Sequence, residues 1–265
     1  MKHHYYQVVV SYDGGNYFGW QDLGDAEEKA TVQRAITQAL RKICKYADCV
    51  VAGASRTDAG VHAQGQVAKF SIPLEITPEK LQLGLNSLLP EDIRIVQCSI
   101  CDAAFNPNKQ SVSKKYRYYF SIDRISSPIL SGVVAHVPSK MEGAQSNTQL
   151  DLETMGQVCE LFIGEHDFYS FSGIDKNIAS TVRTINSLEL KRTDALGLDA
   201  EIYYFEIEGD GFLRHMVRYI VGAIFQAGRR AIDSEDIRQA LRSRNEQKLS
   251  PKAKARGLHL IGITY

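Results

Sequence analysis

The order of hydrophobic periodicities constrains this chain most. Period-two segments read as strands and 3.6-period segments as helices. Tyr5 to Tyr12 is β-rich and halts at Asp13-Gly14-Gly15, a turn signal. From Thr31, the expected N-cap, apolar residues Val32, Ala35, Ile36, Ala39, Leu40 and Ile43 recur at helical spacing. An apolar run at 50–52 leads into a loop and alternation over 67–72 leads out of it. Thr77-Pro78 opens a second helix through Leu81, Leu85, Leu88 and Leu89, and a strand covers Ile93 to Ile100. Strand, helix, strand, strand, helix, strand is the split β-α-β pattern of ferredoxin-like domains.

The pattern then starts again. Lys114 to Ile122 is strand-like, and a helix begins at Asp151 with Leu152, Met155, Cys159 and Phe162. Strands follow at 182–190 and 201–208. A helix over 212–227 carries Phe212, Met216, Tyr219, Ile220 and Ala223 and ends at Gly228. A second helix follows Ser234, and Leu258 to Thr264 is the last strand. The fold class expected is therefore α+β: two ferredoxin-like halves forming a mixed, largely antiparallel sheet with a central cleft. The division falls at 1–104 and 105–265. Asp22 to Glu28, Ser126 to Gln149 and Thr193 to Gly197 are expected as loops or turns.

At 265 residues the chain can bury a substantial core, and its 44% hydrophobic and 23% charged content is that of a globular protein. Net charge is +0, yet 210–256 holds eleven Lys or Arg against five Asp or Glu, a local excess of six. Such a region can bind phosphate, because screening mutes distant charges; a solvated helical face reads the same way. The five cysteines are odd in number and lack zinc-site spacing, so reduced thiols and a cytoplasmic location are expected. No apolar run approaches a membrane span and no signal-peptide core is present at the start.

The loop between the second and third strands reads Gly53-Ala54-Ser55-Arg56-Thr57-Asp58-Ala59-Gly60-Val61-His62-Ala63. Its small residues leave room for a bulky ligand, as a site that swallows a nucleobase needs. Together with Gly65-Gln66-Val67, this stretch resembles the active-site loop of the tRNA pseudouridine synthase A family. The resemblance continues in order through Tyr12-Asp13-Gly14, Phe18-Gly19-Trp20-Gln21, Thr31-Val32-Gln33 and Leu89-Pro90. It then takes in Lys115-Tyr116-Arg117-Tyr118, Phe162-x-Gly164-x-His166-Asp167-Phe168, Gly211-Phe212-Leu213, Met216-Val217-Arg218 and Gly257-Leu258. It covers essentially the whole chain.

That family isomerises uridine to pseudouridine at positions 38, 39 and 40 of the tRNA anticodon stem-loop, without cofactor or metal. The resemblance implies the same partner, the tRNA anticodon arm, and a homodimer. Asp58 is then the essential carboxylate, as a nucleophile or as the base of a glycal-type route. Arg56, two residues earlier, fills the place of the flipped base; pairing with Asp58 is its structural alternative. Tyr116 stacks on the uracil and handles the C5 proton. Lys114, Lys115 and Arg117 interleave with Tyr116 and Tyr118 as a base-stacking, phosphate-binding strand does. Arg218 pairs with the catalytic Asp, and Arg214, four residues earlier, shares its helix face.

His166-Asp167 reads as structural, at the end of the 152–162 helix. Two positions depart from the family: Ser55 stands where Gly is usual, and Asn108 where Arg is usual, which removes one potential phosphate contact. Two other readings fit parts of the chain. A catalytically inert tRNA-binding or folding module leaves the Asp58 loop idle, and a carboxylate-dependent nucleosidase-type hydrolase lacks a second acid at suitable spacing.

Overall fold

The computed structural model describes residues 2–22, 24, 30–139, 149–173, 178–194 and 200–265. Most of the expected 22–28 and 193–197 loops, and 140–148 of the expected 126–149 loop, lie outside the described residues. Two compact units emerge, one of residues 1–112 with 259–265 and one of 113–258.

In the first unit the elements run β1 (His4–Tyr12), α1 (Val32–Ile43), β2 (Val50–Gly53), β3 (His62–Ile72), α2 (Pro78–Leu88) and β4 (Ile93–Ile100). β1 is flanked by antiparallel β4 and β3, and β2 pairs antiparallel with the far end of β3. The order β4-β1-β3-β2 is the ferredoxin-like arrangement that the element order implies. β10 (Leu258–Thr264) adds a parallel contact at the near end of β3, pairing His259 with His62.

Local chemistry sets the helix starts. Thr31 accepts a hydrogen bond from Arg34 N, and Thr77 does the same for Lys80 N with Pro78 at the first helical position. Such caps contribute about 1 kcal/mol each. Val32, Ile36, Ala39 and Leu40 of α1 and Leu81 and Leu85 of α2 supply the buried faces. β1 alternates as its sequence does: Tyr6, Val8, Val10 and Tyr12 are buried.

The second unit contains β5 (Ser113–Ser121), β6 (Ala135–His136), α3 (Leu152–Cys159), β7 (Gly164–Asp167), β8 (Val182–Thr193), β9 (Ile202–Gly209), α4 (Met216–Gly228) and α5 (Ser234–Arg242). Its sheet is antiparallel in the order β5-β9-β8-β7, with the short β6 parallel to β5. Asp151 caps α3, and Asp233 with Asp236 forms a capping box on α5. Phe120, Phe205 and Phe225 pack at 5.0–5.9 Å between centroids and tie α4 to the sheet.

Four sequence expectations change. β3 starts at His62 rather than 67, so the loop shrinks to 54–61. β6 and β7 carry no periodic signal in the sequence, being only two and four residues long. His166 and Asp167 consequently belong to a strand, not a helix end. α4 starts at Met216 rather than 212, because His215 adopts a left-handed backbone (φ 63°) that no right-handed helix can pass through.

Candidate active site

Residues 54–61 join β2 to β3, and their backbone is held from the core side. Gln66, fully buried on β3, accepts from Ser55 N at 3.1 Å through Oε1 and donates to Ser55 O at 2.6 Å through Nε2. Ala54 N donates to Val67 O at 2.8 Å. Two residues on, the buried Thr57 pairs its hydroxyl with the Tyr12 hydroxyl at 2.7 Å, and its carbonyl accepts from Trp20 N at 3.1 Å. Gly19 lies against that Thr57 carbonyl with φ of 92°, where a side chain would collide with the loop backbone.

Ser55 and Thr57 are thus the inward residues of the loop, and Arg56 and Asp58 alternate outward. Arg56 is exposed and Asp58 half-buried. Ser55, the small departure, is buried, and its backbone bonds Gln66 on both sides.

The far end of the loop is braced as well. Val61 N donates to Asp58 O at 3.1 Å and Gly60 N to Tyr17 O at 3.2 Å. His62 stacks on His259 with centroids 4.6 Å apart, and its Nδ1 accepts from Gly14 N at 3.1 Å with Asp13 Oδ1 3.0 Å away. The Asp13-Gly14 turn, read from the sequence only as the stop of β1, is therefore a support for the loop.

Gln66 carries no role in the sequence reading. The signal was present: it shares a strand face with Ala68, Phe70 and Ile72, where a polar residue is out of place unless its hydrogen bonds are met.

On the second unit, Tyr116 is 5% exposed and meets Phe212 edge-on at 5.2 Å. Lys114 shares its face of β5 and is buried, its ammonium held below the usual lysine range by desolvation and by Arg183. Lys115 and Arg117 project to the opposite face, because side chains alternate along a strand. There Lys115 pairs with Glu208 at 3.1 Å and Arg117 with Glu206 at 2.6 Å, and Lys191 bonds Glu206 from β8. The basic and aromatic residues of β5 that look interleaved in sequence are sorted onto two faces.

Arg218 lies on α4 and donates from Nε to Ala253 O at 2.7 Å, while Ala253 N donates to Arg218 O at 3.0 Å. Its positive charge, with that of Arg256, acts against the burial that keeps the Tyr118 phenol raised. Arg214 precedes the helix, and its carbonyl accepts from Gly173 N at 2.7 Å. The expected shared helix face of Arg214 and Arg218 is therefore not formed. Asn108 is exposed in a turn where Asn106 Oδ1 accepts from its N–H at 3.1 Å.

Among the described residues no group of three or more His, Cys, Asp or Glu is placed to hold a metal ion. No helix among them is long and apolar enough to cross a membrane. The five cysteines are free thiols.

The pinned loop turns one arginine and one aspartate outward on an α+β scaffold. A family model described as tRNA pseudouridine synthase matches residues 8–108 and 158–265. The chain is 44% identical over 262 residues to tRNA pseudouridine synthase A 2 of Desulfotalea psychrophila, covering 98% of both chains. It is 36% identical over 260 residues to tRNA pseudouridine synthase A of Acetivibrio thermocellus, again covering 98% of each. An archaeal box H/ACA sRNP Nop10-Cbf5 complex overlaps with a TM-score of 0.30 at 9% identity, over 83% of this chain and 43% of that one, too slight a likeness to carry an argument. The chain belongs to the tRNA pseudouridine synthase family, a family of isomerases.

Proposed function

We propose that this isomerase converts uridines 38, 39 and 40 of the tRNA anticodon stem-loop to pseudouridine, with Asp58 as the reactive carboxylate. The carrying observation is the alternation of burial over residues 55–58. Gln66 and Tyr12 hold Ser55 and Thr57 inward, which leaves Arg56 and Asp58 as the outward residues of a fixed backbone. A flipped nucleotide costs a few kcal/mol to extract, and a preset loop avoids adding its own ordering to that cost.

The reaction breaks the C1′–N1 bond, turns the uracil and forms C1′–C5; the C5 proton leaves and N1 gains one. Atoms and electrons balance with no cofactor. Asp58 serves either as nucleophile or as base, and both roles need the ionised carboxylate. Arg56 takes the space of the extruded base, where a guanidinium both stacks and donates. Tyr116, on the second unit, is assigned to stacking on the uracil and to the C5 proton, and Arg218 to pairing with the reactive carboxylate. Lys114 and Arg214 are assigned to the RNA, whereas Lys115 and Arg117 would reach it only by leaving Glu208 and Glu206.

Assembly as a homodimer in the cytoplasm completes the proposal, and light scattering at working concentrations tests the dimer. The test of function is to incubate the protein with unmodified tRNA transcripts and map pseudouridine by site. Conversion at 38–40 supports the assignment. Conversion elsewhere in tRNA retains the chemistry and removes the site assignment, and tight binding with no conversion transfers the chain to a folding-module role.

A further inference from the structure

The segment 250–257 is seated on α4 at several points. Ser250 Oγ donates to Tyr219 O at 3.2 Å, and the bare face of Gly222 admits the Pro251 carbonyl. Ala253, 8% exposed, exchanges two hydrogen bonds with Arg218. Lys254 has extended dihedrals (φ −60°, ψ 139°). Lys252 and Lys254 flank the buried Ala253, and both are exposed. In an extended segment residues two apart point to one side, with Cα atoms about 6–7 Å apart.

These two lysines differ from five other cations of the unit in what they touch. Lys115, Arg117, Lys191, Arg230 and Arg244 each pair with a carboxylate. Lys252 and Lys254 have no carboxylate partner among the described residues. Their backbone is fixed, and no described carboxylate claims their charge. An extended, preset pair of ammonium groups suits a linear polyanion with evenly spaced charges.

We infer that Lys252 and Lys254, held in place by the Ala253–Arg218 bonds, grip successive backbone phosphates of the tRNA substrate. The inference rests on the proposed function for the identity of the polyanion. Its energetic content is counterion release: each phosphate contact contributes about 0.7–0.9 to the slope of log affinity against log salt. The contact carries no sequence information, so it acts on affinity and leaves chemistry alone.

The test compares the parent with Lys252→Ala/Lys254→Ala, with the arginine pair Lys252→Arg/Lys254→Arg, and with Lys80→Ala, an exposed lysine on the first unit. Affinity for an unmodified tRNA transcript is measured across salt concentrations, and single-turnover pseudouridine formation at saturating tRNA. The alanine pair should bind roughly tenfold more weakly at low salt, with a slope shallower by about 1.5, and react at the parental rate once saturated. The arginine pair should restore both affinity and slope, and Lys80→Ala should match the parent.

Unchanged affinity and slope in the alanine pair overturn the inference and leave the proposed function standing. A loss of saturated rate without loss of affinity, or a defect that arginine does not repair, overturns it too. A parent that binds tRNA but makes no pseudouridine removes the proposed function while the salt data still decide the phosphate contact. A parent that binds no tRNA overturns both.

Discussion

Gln66 holds both sides of Ser55, accepting from its N–H at 3.1 Å and donating to its carbonyl at 2.6 Å. A fully buried amide thereby sets the backbone one residue before Arg56 and three before Asp58. Gln66→Leu keeps the volume but strands the two Ser55 backbone groups, each costing about 1–3 kcal/mol when buried without a partner. The variant should lose about 2–4 kcal/mol of stability by urea unfolding. Turnover should fall while tRNA affinity holds. Parental turnover in this variant would show that the loop takes its shape from elsewhere.

Asp58→Asn removes the negative charge and little else. The half-buried side chain keeps its size and most of its hydrogen bonding, so the protein should fold and bind tRNA like the parent. No pseudouridine should form, because Arg56, Thr57 and Ala59 offer no second carboxylate in the loop. Conversion at a comparable rate would remove Asp58 from the reaction.

Tyr116→Phe retains the ring packed on Phe212 and deletes only the hydroxyl. Binding should survive, and turnover should drop by the ~10²–10⁴ that a lost general acid or base costs. A rate close to the parent's would leave Tyr116 as a stacking residue. A fall in unfolding midpoint matching the rate loss would mark it as a core residue instead.

Asp167 supplies a pH-dependent test of structure. Burial works to raise its carboxyl, but bonds from the Thr181 hydroxyl, Arg244 and Tyr169 N–H outweigh it and hold it below the ordinary range. A carboxyl depressed in the folded state stabilises fully above its unfolded value, near 3.9, and loses that contribution as pH falls through the folded value. With Arg244 well exposed, Asp167→Asn should cost about 1 kcal/mol at pH 7. The gap between variant and parent should close once pH has fallen below that folded value. A gap that persists there would assign the loss to packing.

Much of the fold was legible because its signals are local. Thr31, Thr77 and Asp151 are caps that act within one turn, and β1 and β4 carry apolar patterns long enough to fix their extent. The short β6 and β7 had no such length. They are strands because Phe120, Ser121 and β8 offer them partners, and pairing with a distant segment is not written in four residues. The start of α4 likewise depended on the left-handed His215, which apolar spacing does not foresee.

The site divides in the same way. By itself the sequence determined which residues stand in the loop, their order, and the alternation that turns Arg56 and Asp58 to one side, since that follows from covalent geometry in any extended chain. Only the tertiary structure decided that Gln66 and Tyr12 lock this alternation in place, because hydrogen bonds across 11 and 45 residues exist only after β1, β2 and β3 have paired. It also decided that Lys115 and Arg117 are tied to Glu208 and Glu206 while Lys252 and Lys254 have no carboxylate partner among the described residues. A count of basic residues treats all four alike; which of them keeps its charge for a partner depends on where a carboxylate from another strand comes to lie.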